Sequence, residues 1–261
     1  MAEIIVSDDA SKTPASSILG HFRDTRLRVV QAEGKGPGHA RNRAMEAARG
    51  KVLFFLDDDD ELMPDYCART MSRLANNPNP PEFGYSAFIL QNGQRQTKKC
   101  RAPDGPIVAT QPFQQTNLGF GMGFWIMGAL AKRVGPISEE WMTNEDTEYC
   151  LRLLGTGRPG WYSATPGVIV HKASVDSANV ASITQRTASS KRSAAFDAIA
   201  HAHVSLIDQI PGAQRYFDRR RIKTALSARL WTKGWRIARA RPVNLPYFAA
   251  NLVGSLFRLR Q

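Results

Sequence analysis

Four consecutive aspartates, residues 57–60, directly follow the apolar run 52–56. Carboxylates this close together repel one another unless a cation compensates their charge. Hard oxygen ligands favour Mg²⁺ or Mn²⁺, and a metal held there can bridge a nucleotide diphosphate and stabilise a leaving phosphate. The alternative interpretation is a solvated acidic loop in which Asp60 or a neighbour caps a helix that begins near Pro64.

Two acidic pairs stand beside other predicted elements. Asp8 and Asp9 end a short apolar segment, where they also fit a plain turn that caps the next helix. Glu145 and Asp146 precede a helical pattern, and negative charge is favoured at a helix N-terminus. Capping of that helix is therefore the alternative to a chemical role for the second pair.

Strand and helix signals alternate up to about residue 175 and define the elements that position these acids. Segments 3–7 and 26–31 are dominated by Ile, Val or Leu between turn formers, which is typical of short buried strands. Segment 39–49 carries alanines at helical spacing, and Gly50 supplies a stop just past its end. The run 52–56 suits a parallel strand covered on both faces, and ligand sites in open α/β sheets lie at the carboxyl ends of such strands.

Several motifs together resemble one enzyme family. The segment GPGHARNRAMEAARGKVLFFLDDDDEL resembles the core of the family 2 glycosyltransferases, which have the GT-A fold. EIIVSDDAS resembles the family's second strand with its paired Asp, FLDDDD its metal-binding Asp-x-Asp turn, and VGPISEEWMTNEDTEYCLRLLGTG its acceptor region ending in Glu-Asp. The matches occur in the family's order over roughly residues 3–175. The resemblance implies an α/β fold, GT-A-like, with a Rossmann-like mixed or mostly parallel sheet flanked by helices.

The resemblance also implies residues that bind the nucleotide sugar. It makes Asp9 the hydrogen-bond partner of the base, with Asp8 beside it at the same strand end. Arg41 and Asn42 match the family's Ala-Arg-Asn triplet near a helix start, where they could approach the diphosphate. The alternative for Arg41 is a solvated side chain on a helix face.

Within the aspartate run, the family's pattern assigns the first motif carboxylate to Asp57 and the metal-binding one to Asp59. Asp58 fills the variable position beside the nucleotide sugar. His171 follows an apparent strand and stands where relatives carry a His that reaches the metal or the diphosphate, although a structural or surface role is the alternative. The resemblance therefore implies Asp57, Asp59 and His171 as ligands of Mn²⁺ or Mg²⁺.

The downstream acidic pair supplies the implied chemistry. An inverting transfer needs a general base that removes the proton of the acceptor hydroxyl, and the resemblance assigns this role to Asp146. Glu145 would contact the acceptor or orient the site. Because the Gln-x-x-Arg-Trp motif of processive synthases is absent after this pair, we expect transfer of a single sugar. The implied partners are a nucleoside-diphosphate sugar, with UDP as the expected nucleotide, and a glycan or lipid-linked acceptor.

Positive charge is concentrated at one end of the chain. The 261 residues carry a formal net charge of +12, and residues 215–261 hold 12 Lys and Arg against the single acid Asp218. Helical signals replace the alternating pattern beyond about residue 180. We therefore expect a GT-A-like catalytic domain over residues 1–180, without the family's usual first strand and helix, and a basic helical extension over residues 181–261.

The basic extension also has an amphipathic pattern. Ile222, Leu226 and Leu230 are helically spaced, and Trp231 and Trp235 form a second apolar edge among basic residues. This pattern fits a helix lying on an anionic membrane surface, which favours peripheral membrane association over nucleic acid as the partner. The alternative is a helical appendage that packs on the catalytic domain and shows its basic face to water.

Composition limits the remaining classes of protein. With 43% hydrophobic and 22% charged residues, the chain resembles a globular protein. No apolar run reaches the roughly 18 residues that span a bilayer, and no signal segment is evident, so we expect a cytoplasmic location, including the cytoplasmic face of a membrane. The three cysteines lie too far apart in sequence for the paired motifs of zinc or thiol redox sites.

Two other functional classes fit parts of the sequence. Relatives normally have a strand and a helix ahead of EIIVSDD, so a truncated or degenerate domain that binds nucleotide or membrane without activity is one alternative. A nucleotidyltransferase is the other, because its α/β fold can look similar. The Glu-Asp segment argues against it, since such an enzyme needs no base for a sugar acceptor.

Overall fold

The computed structural model describes residues 3–141, 143–171 and 187–257. These residues form two compact units. The sheet unit comprises residues 3–108 and 118–171, and the helical unit comprises residues 109–117 and 187–257. The predicted domain boundary near residue 180 lies outside the described residues.

The strands of the described residues belong to the sheet unit. In chain order they are β1 Ile4–Asp8, β2 Leu27–Gln31, β3 Val52–Phe54, β4 Glu61–Leu62, β5 Phe83–Asn92, β6 Arg95–Lys99, β7 Gly105–Ile107, β8 Trp125–Met127 and β9 Gly160–His171. The predicted strand at 3–7 is confirmed, and so is the one at 26–31. Both contain consecutive β-branched or leucine side chains and end at polar residues, as short buried strands do.

The described α-helices alternate with the strands at first and then follow one another, and they are α1 Ala15–Leu19, α2 Pro37–Ala47, α3 Tyr66–Ala75, α4 Phe113–Thr116, α5 Gly128–Val134, α6 Glu145–Gly155, α7 Ser189–Ala202, α8 Val204–Gln209, α9 Ala213–Ser227, α10 Trp231–Ala240 and α11 Leu245–Phe257. Pro37 fits the first turn of α2 because that position needs no backbone N–H. None of the described helices is long and apolar enough to cross a membrane.

The strands form two sheets. β1 and β2 pair in parallel, with Ile4 opposite Leu27. The larger sheet has the order β3-β8-β5-β9-β4, while β6 pairs with β5 and β7 pairs with β9. β5 and β9 are parallel, whereas β3 and β8 are antiparallel. The predicted mixed α/β architecture is thereby confirmed.

The pairing of β3 differs from the prediction of a parallel strand. Its described partner is β8, with Val52 opposite Met127. An apolar run indicates burial but does not encode the direction of the neighbouring strand. Trp125 of β8 packs with Tyr66 and Leu74 of α3, and Val52 and Phe54 of β3 pack against the same cluster, so the aspartates still follow a covered strand.

The helical unit has its own apolar core. Ile222 and Leu226 of α9 are buried against Ala238 of α10 and Phe248 of α11. Sequence spacing had placed Ile222 and Leu226 on a membrane-facing surface, and that interpretation is wrong because both side chains are fully enclosed here. Gly234 allows the close approach of α10, since a Cβ at that position would lie 3.2 Å from the Phe248 ring.

Candidate active site

Asp8 and Asp9, the acidic pair at the end of β1, have different surroundings. Both carboxylate oxygens of Asp8 accept backbone hydrogen bonds, from the N–H of Ser11 at 2.9 Å and that of Ala15 at 2.8 Å. These bonds, led by the one from Ala15, lower the pKa of Asp8. Asp8 therefore fixes the turn between β1 and α1, as the turn interpretation predicted for this residue.

The two carboxylate oxygens of Asp9 differ in their contacts. Its Oδ2 accepts the backbone N–H of Gly36 at 2.8 Å. Its Oδ1 is buried and has no hydrogen-bond partner in the described part of the chain. A buried acceptor without a donor is unfavourable unless a ligand supplies one. The neighbouring Ala10 has φ +60°, a conformation that non-glycine residues adopt rarely and that is found at binding sites.

The aspartate run forms a tight turn after β3. The N–H of Asp60 donates to the carbonyl of Asp57 at 3.1 Å, which places Asp58 and Asp59 at the exposed tip and leaves Asp57 and Asp60 half-buried. Burial, together with the charges of Asp59 and Asp57, raises the pKa of Asp60 to about 6. Partial burial and neighbouring negative charge therefore both disfavour the ionised form of Asp60 at this turn.

Arg41 connects the two predicted halves of the site. Its Nη2 donates to Oδ1 of Asp57 at 2.7 Å, and its Nη1 donates to Oε1 of Glu145 at 3.0 Å. The guanidinium also lies 5.0 Å from the ring centroid of Phe120. Helix α2 presents Arg41 from its second turn. Because the side chain is only 18% exposed, the interpretation of Arg41 as a solvated side chain on a helix face does not hold.

The segment around Phe120 runs between the same two groups of acids. A Cβ added to Gly119 would lie 2.9 Å from Oδ2 of Asp146, and one added to Gly121 would lie 3.4 Å from Oδ2 of Asp57. The backbone at these two glycines therefore passes close to a carboxylate of each group, most closely at Gly119. This glycine-rich segment therefore lies beside both the aspartate turn and the Glu-Asp pair.

Helix α6 begins at Glu145, in agreement with the predicted helix start. The preceding Asn144 has φ +71°, a left-handed conformation that Asn tolerates better than most residues. Asp146 Oδ1 accepts the N–H of Thr147 at 2.7 Å. This contact agrees with a capping role at the helix start, and the nearby Gly119 leaves the other oxygen of Asp146 beside the glycine-rich segment.

Glu145 is buried close to like charge. Burial, together with the charge of Asp146, raises the pKa of Glu145 to about 7, although contact with Arg41 acts in the opposite direction. A carboxyl group that titrates near neutral pH beside a second carboxylate is common at catalytic sites. The acids therefore form one electrostatic group around Arg41.

Asn42 lies outside this group. Its Nδ2 donates to the carbonyl of Ile137 and to Oε1 of Glu139, both at 2.8 Å. Its Oδ1 accepts the N–H of Ile137 at 2.8 Å. The side chain therefore ties α2 to the segment that leads to α6, and these bonds use both of its N–H donors. A direct contact of Asn42 with nucleotide sugar remains a prediction.

His171, at the end of β9, lies beside the aspartate turn. Its backbone N–H donates to Oδ1 of Asp60 at 3.0 Å, and its Nε2 lies 2.9 Å from Oε1 of Glu61. The sequence did not single out Glu61, and it suggested for Asp60 only the capping of a helix near Pro64. No local pattern identifies these contacts, because they join residues more than a hundred positions apart.

Comparison with known proteins connects this geometry to a family. Residues 2–123 match the family model described as glycosyl transferase family 2. That stretch includes Asp8, Asp9, Arg41 and the aspartate turn. This region belongs to glycosyl transferase family 2. The resemblance predicted from the motifs is confirmed.

Individual relatives of this family 2 region agree. EpsH of Bacillus subtilis is 32% identical over 94 residues, which cover 35% of this chain and 27% of the relative. The GalNAc(5)-diNAcBac-PP-undecaprenol beta-1,3-glucosyltransferase of Campylobacter jejuni is 35% identical over 86 residues, which cover 31% of this chain and 28% of the relative. The matched segments thus span less than a third of either relative.

The fold has a solved counterpart. The structure of residues 1–349 of TarS from S. aureus in complex with UDP-GlcNAc matches with a TM-score of 0.66 at 16% identity, covering 97% of this chain and 71% of that chain. The predicted GT-A-like fold class is thereby confirmed.

The side chains expected to hold a divalent metal all belong to the sheet unit. In the described part of the chain, no three His, Cys, Asp or Glu side chains are grouped so that they could hold a metal ion. The donor chemistry fits nevertheless, because Asp57 and Asp59 supply hard oxygens beside Asp60, whose pKa is raised first by burial and then by the charges of these two aspartates. His171 lies at the same turn through its contact with Asp60.

Proposed function

We propose that this chain is an inverting glycosyltransferase that moves a single sugar from a UDP-linked donor to a glycan or lipid-linked acceptor. The contact of Arg41 with both Asp57 and Glu145 carries the proposal, because it joins the aspartate turn to the Glu-Asp pair. TarS was solved with UDP-GlcNAc, and the Campylobacter jejuni relative is named for a lipid-linked glycan. Both names support a nucleotide-sugar donor and such an acceptor.

In this proposal, Asp9 recognises the nucleotide base. Its unpartnered Oδ1 accepts an N–H of uracil, while the bond from Gly36 to Oδ2 holds the carboxylate in place. Asp8 acts beside it by fixing the turn. Asp58, exposed at the tip of the aspartate turn, remains the expected neighbour of the nucleotide sugar.

We expect the metal site on the aspartate turn. Asp57 and Asp59, with His171, would hold Mn²⁺ or Mg²⁺, whose charge would stabilise the departing diphosphate. Arg41 supplies positive charge from the protein at the same place, because its Nη2 contacts Asp57. Its planar guanidinium suits hydrogen bonding to diphosphate oxygens.

Asp146 acts as the general base. Its carboxylate takes the proton from the acceptor hydroxyl while that oxygen forms a bond to the anomeric carbon of the sugar. The bond between this carbon and the diphosphate oxygen breaks on the opposite face, its electron pair leaves with UDP, and the configuration inverts. Glu145 orients Arg41 and contributes negative charge beside Asp146, which favours the acceptance of a proton by the base.

Calorimetric titration with UDP, with and without Mn²⁺, tests the donor site. The wild-type chain should bind UDP more tightly when Mn²⁺ is present, and Asp59→Asn should abolish that difference. Glu46→Gln removes one exposed carboxylate elsewhere in the sheet unit and should leave UDP binding unchanged. Absence of UDP binding by folded wild-type protein would overturn the proposal of a UDP-sugar enzyme.

The same preparation separates an active enzyme from a nucleotide-binding domain without activity. UDP release is measured from a panel of UDP-sugars in the presence of extracted bacterial lipids as acceptor source. Asp146→Asn should bind UDP like wild type but turn over about 10²- to 10⁴-fold more slowly, the usual contribution of a general base. Binding without turnover by the wild-type chain would favour the inactive domain.

A further inference from the structure

The outer face of α10 combines an aromatic side chain with positive charge. Gly234 and Ala238 face the core of the helical unit. Arg236 and Arg239 are exposed on the side turned away from that core, and Trp235 is exposed beside them at the flank of the helix. Trp235 keeps 48% of its surface exposed, which is unusual for so large an apolar side chain.

The next helix, α11, has an exposed face without charge. Its sequence, LPYFAANLVGSLF, contains no ionisable side chain except tyrosine. Phe248 faces the core. Over residues 245–255, where side-chain exposure is described, the exposed side chains follow the spacing i, i+3, i+4 and i+7 and are all apolar, namely Pro246, Ala249, Ala250 and Val253. A solvent-facing helix surface normally carries charged or polar residues. The outer face of α11 therefore has the composition of a surface that meets another apolar phase.

The two outer faces belong to adjoining helices. The ring of Trp235 lies 5.6 Å from that of Phe248, between centroids. Exposed Arg229 and Leu230 precede α10, and exposed Arg241 and Val243 follow it, so positive and apolar side chains continue to alternate around it. We call the exposed faces of the two helices, defined by Trp235, Arg236, Arg239, Pro246, Ala249, Ala250 and Val253, the Trp235 surface.

We propose that the Trp235 surface docks on an anionic lipid bilayer. Anionic headgroups complement the arginines, while the apolar stripe of α11 and the exposed part of Trp235 enter the boundary between headgroups and acyl chains. Nucleic acid would satisfy the arginines but would leave the uncharged face of α11 without a partner. The inference rests on the proposed function only for its purpose, which is to bring the enzyme to a lipid-linked acceptor.

Cosedimentation with vesicles tests the Trp235 surface directly. The full chain should bind vesicles of equal parts phosphatidylglycerol and phosphatidylcholine, should bind pure phosphatidylcholine far more weakly, and should dissociate as salt is raised. Arg236→Glu combined with Arg239→Glu should weaken binding to the anionic vesicles at least about tenfold, since each arginine near the surface contributes to attraction. Ala250→Glu combined with Val253→Glu should also weaken binding, because it places charge on the apolar stripe.

The matched control is Lys98→Glu combined with Lys99→Glu, which makes the same change in net charge at exposed positions of β6. This control should bind anionic vesicles far better than the arginine variant does. Equal loss in both would mean that net charge alone drives binding and would overturn the proposal. The proposal would also be overturned if wild-type protein did not bind these vesicles but bound duplex DNA. UDP titration of each variant reports separately on the donor site, so failure of docking and failure of the proposed function remain distinguishable.

Discussion

Two buried carboxylates, one in each unit, have opposite surroundings. Asp218 of the helical unit is fully buried, and its oxygens accept hydrogen bonds from Gln214, Arg241 and Asn244 at 3.0–3.3 Å. Glu145 of the sheet unit is 8% exposed. Its described side-chain partner is Arg41, which also serves Asp57.

The difference between the two carboxylates lies in their charge balance. Donors surround Asp218, so its charge is compensated within the protein and the residue holds helices together. Around Arg41, acids outnumber cations, and the pKa of Glu145 rises to about 7 because burial and Asp146 both disfavour its charge. An acidic group left undercompensated is unfavourable for the fold alone and is typical of a site that receives a ligand. Charge balance therefore distinguishes a carboxylate that stabilises the fold from one that belongs to a candidate ligand site.

The largest effect is expected in the helical unit. Asp218→Ala removes the shared acceptor of three side chains and should lower the free energy of unfolding by about 3–5 kcal/mol, as breaking a buried ion pair does. Urea unfolding followed by circular dichroism measures this change. Asp208→Ala removes an exposed acid from α8 and should change stability by less than about 0.5 kcal/mol. Similar small losses in both variants would show that Asp218 is not a structural centre.

Local patterns predicted the elements of the sheet unit well. The segment predicted as a strand at 3–7 is β1, the helix predicted at 39–49 is α2, and the acidic pair stands at the start of α6. Each prediction depended on side chains that are neighbours in the chain, where turn formers and periodicity act directly. The candidate residues at strand and helix ends could therefore be named from the sequence.

Contacts between distant segments were not predictable in the same way. Arg41 meets Glu145, and Asp60 meets His171, only because the fold brings their elements together. Helical spacing likewise identified the apolar face with Leu226 but not what covers it, and the structure buries that face inside the helical unit. Periodicity shows that a face is apolar, whereas the choice among core, membrane and partner requires the packing of other elements.

The second largest effect is an increase in the free energy of unfolding, opposite to the decrease expected for Asp218→Ala, and it depends on pH. Glu145 has a usual pKa of 4.5, raised to about 7 in the folded protein. The stability contributed by its neutral form is present below about pH 4.5 and is lost as pH rises through about 7. Because glutamine is neutral at every pH, Glu145→Gln should gain stability relative to wild type between these values, by up to about 3 kcal/mol.

Urea unfolding of both proteins at about pH 5 and about pH 8 measures this difference. Glu46→Gln, an exposed change of the same type, should show no comparable dependence on pH. A stability difference between Glu145→Gln and wild type that stays constant across this range would show that Glu145 is not held in an undercompensated site.

The smallest effects are expected at Asp8 and Asp9, two adjacent carboxylates that differ in the same way as Asp218 and Glu145. Asp8 is fully paired by Ser11 and Ala15, whereas Asp9 keeps an unpartnered oxygen. Asp8→Ala should therefore lower the free energy of unfolding by about 1–2 kcal/mol through the lost turn contacts. Asp9→Ala should cost less stability but weaken UDP binding by about tenfold, the effect of one hydrogen bond to a charged group. Chemical unfolding and UDP titration of both variants give the two quantities, and the reverse pattern would mean that charge balance does not distinguish scaffold from site at this strand end.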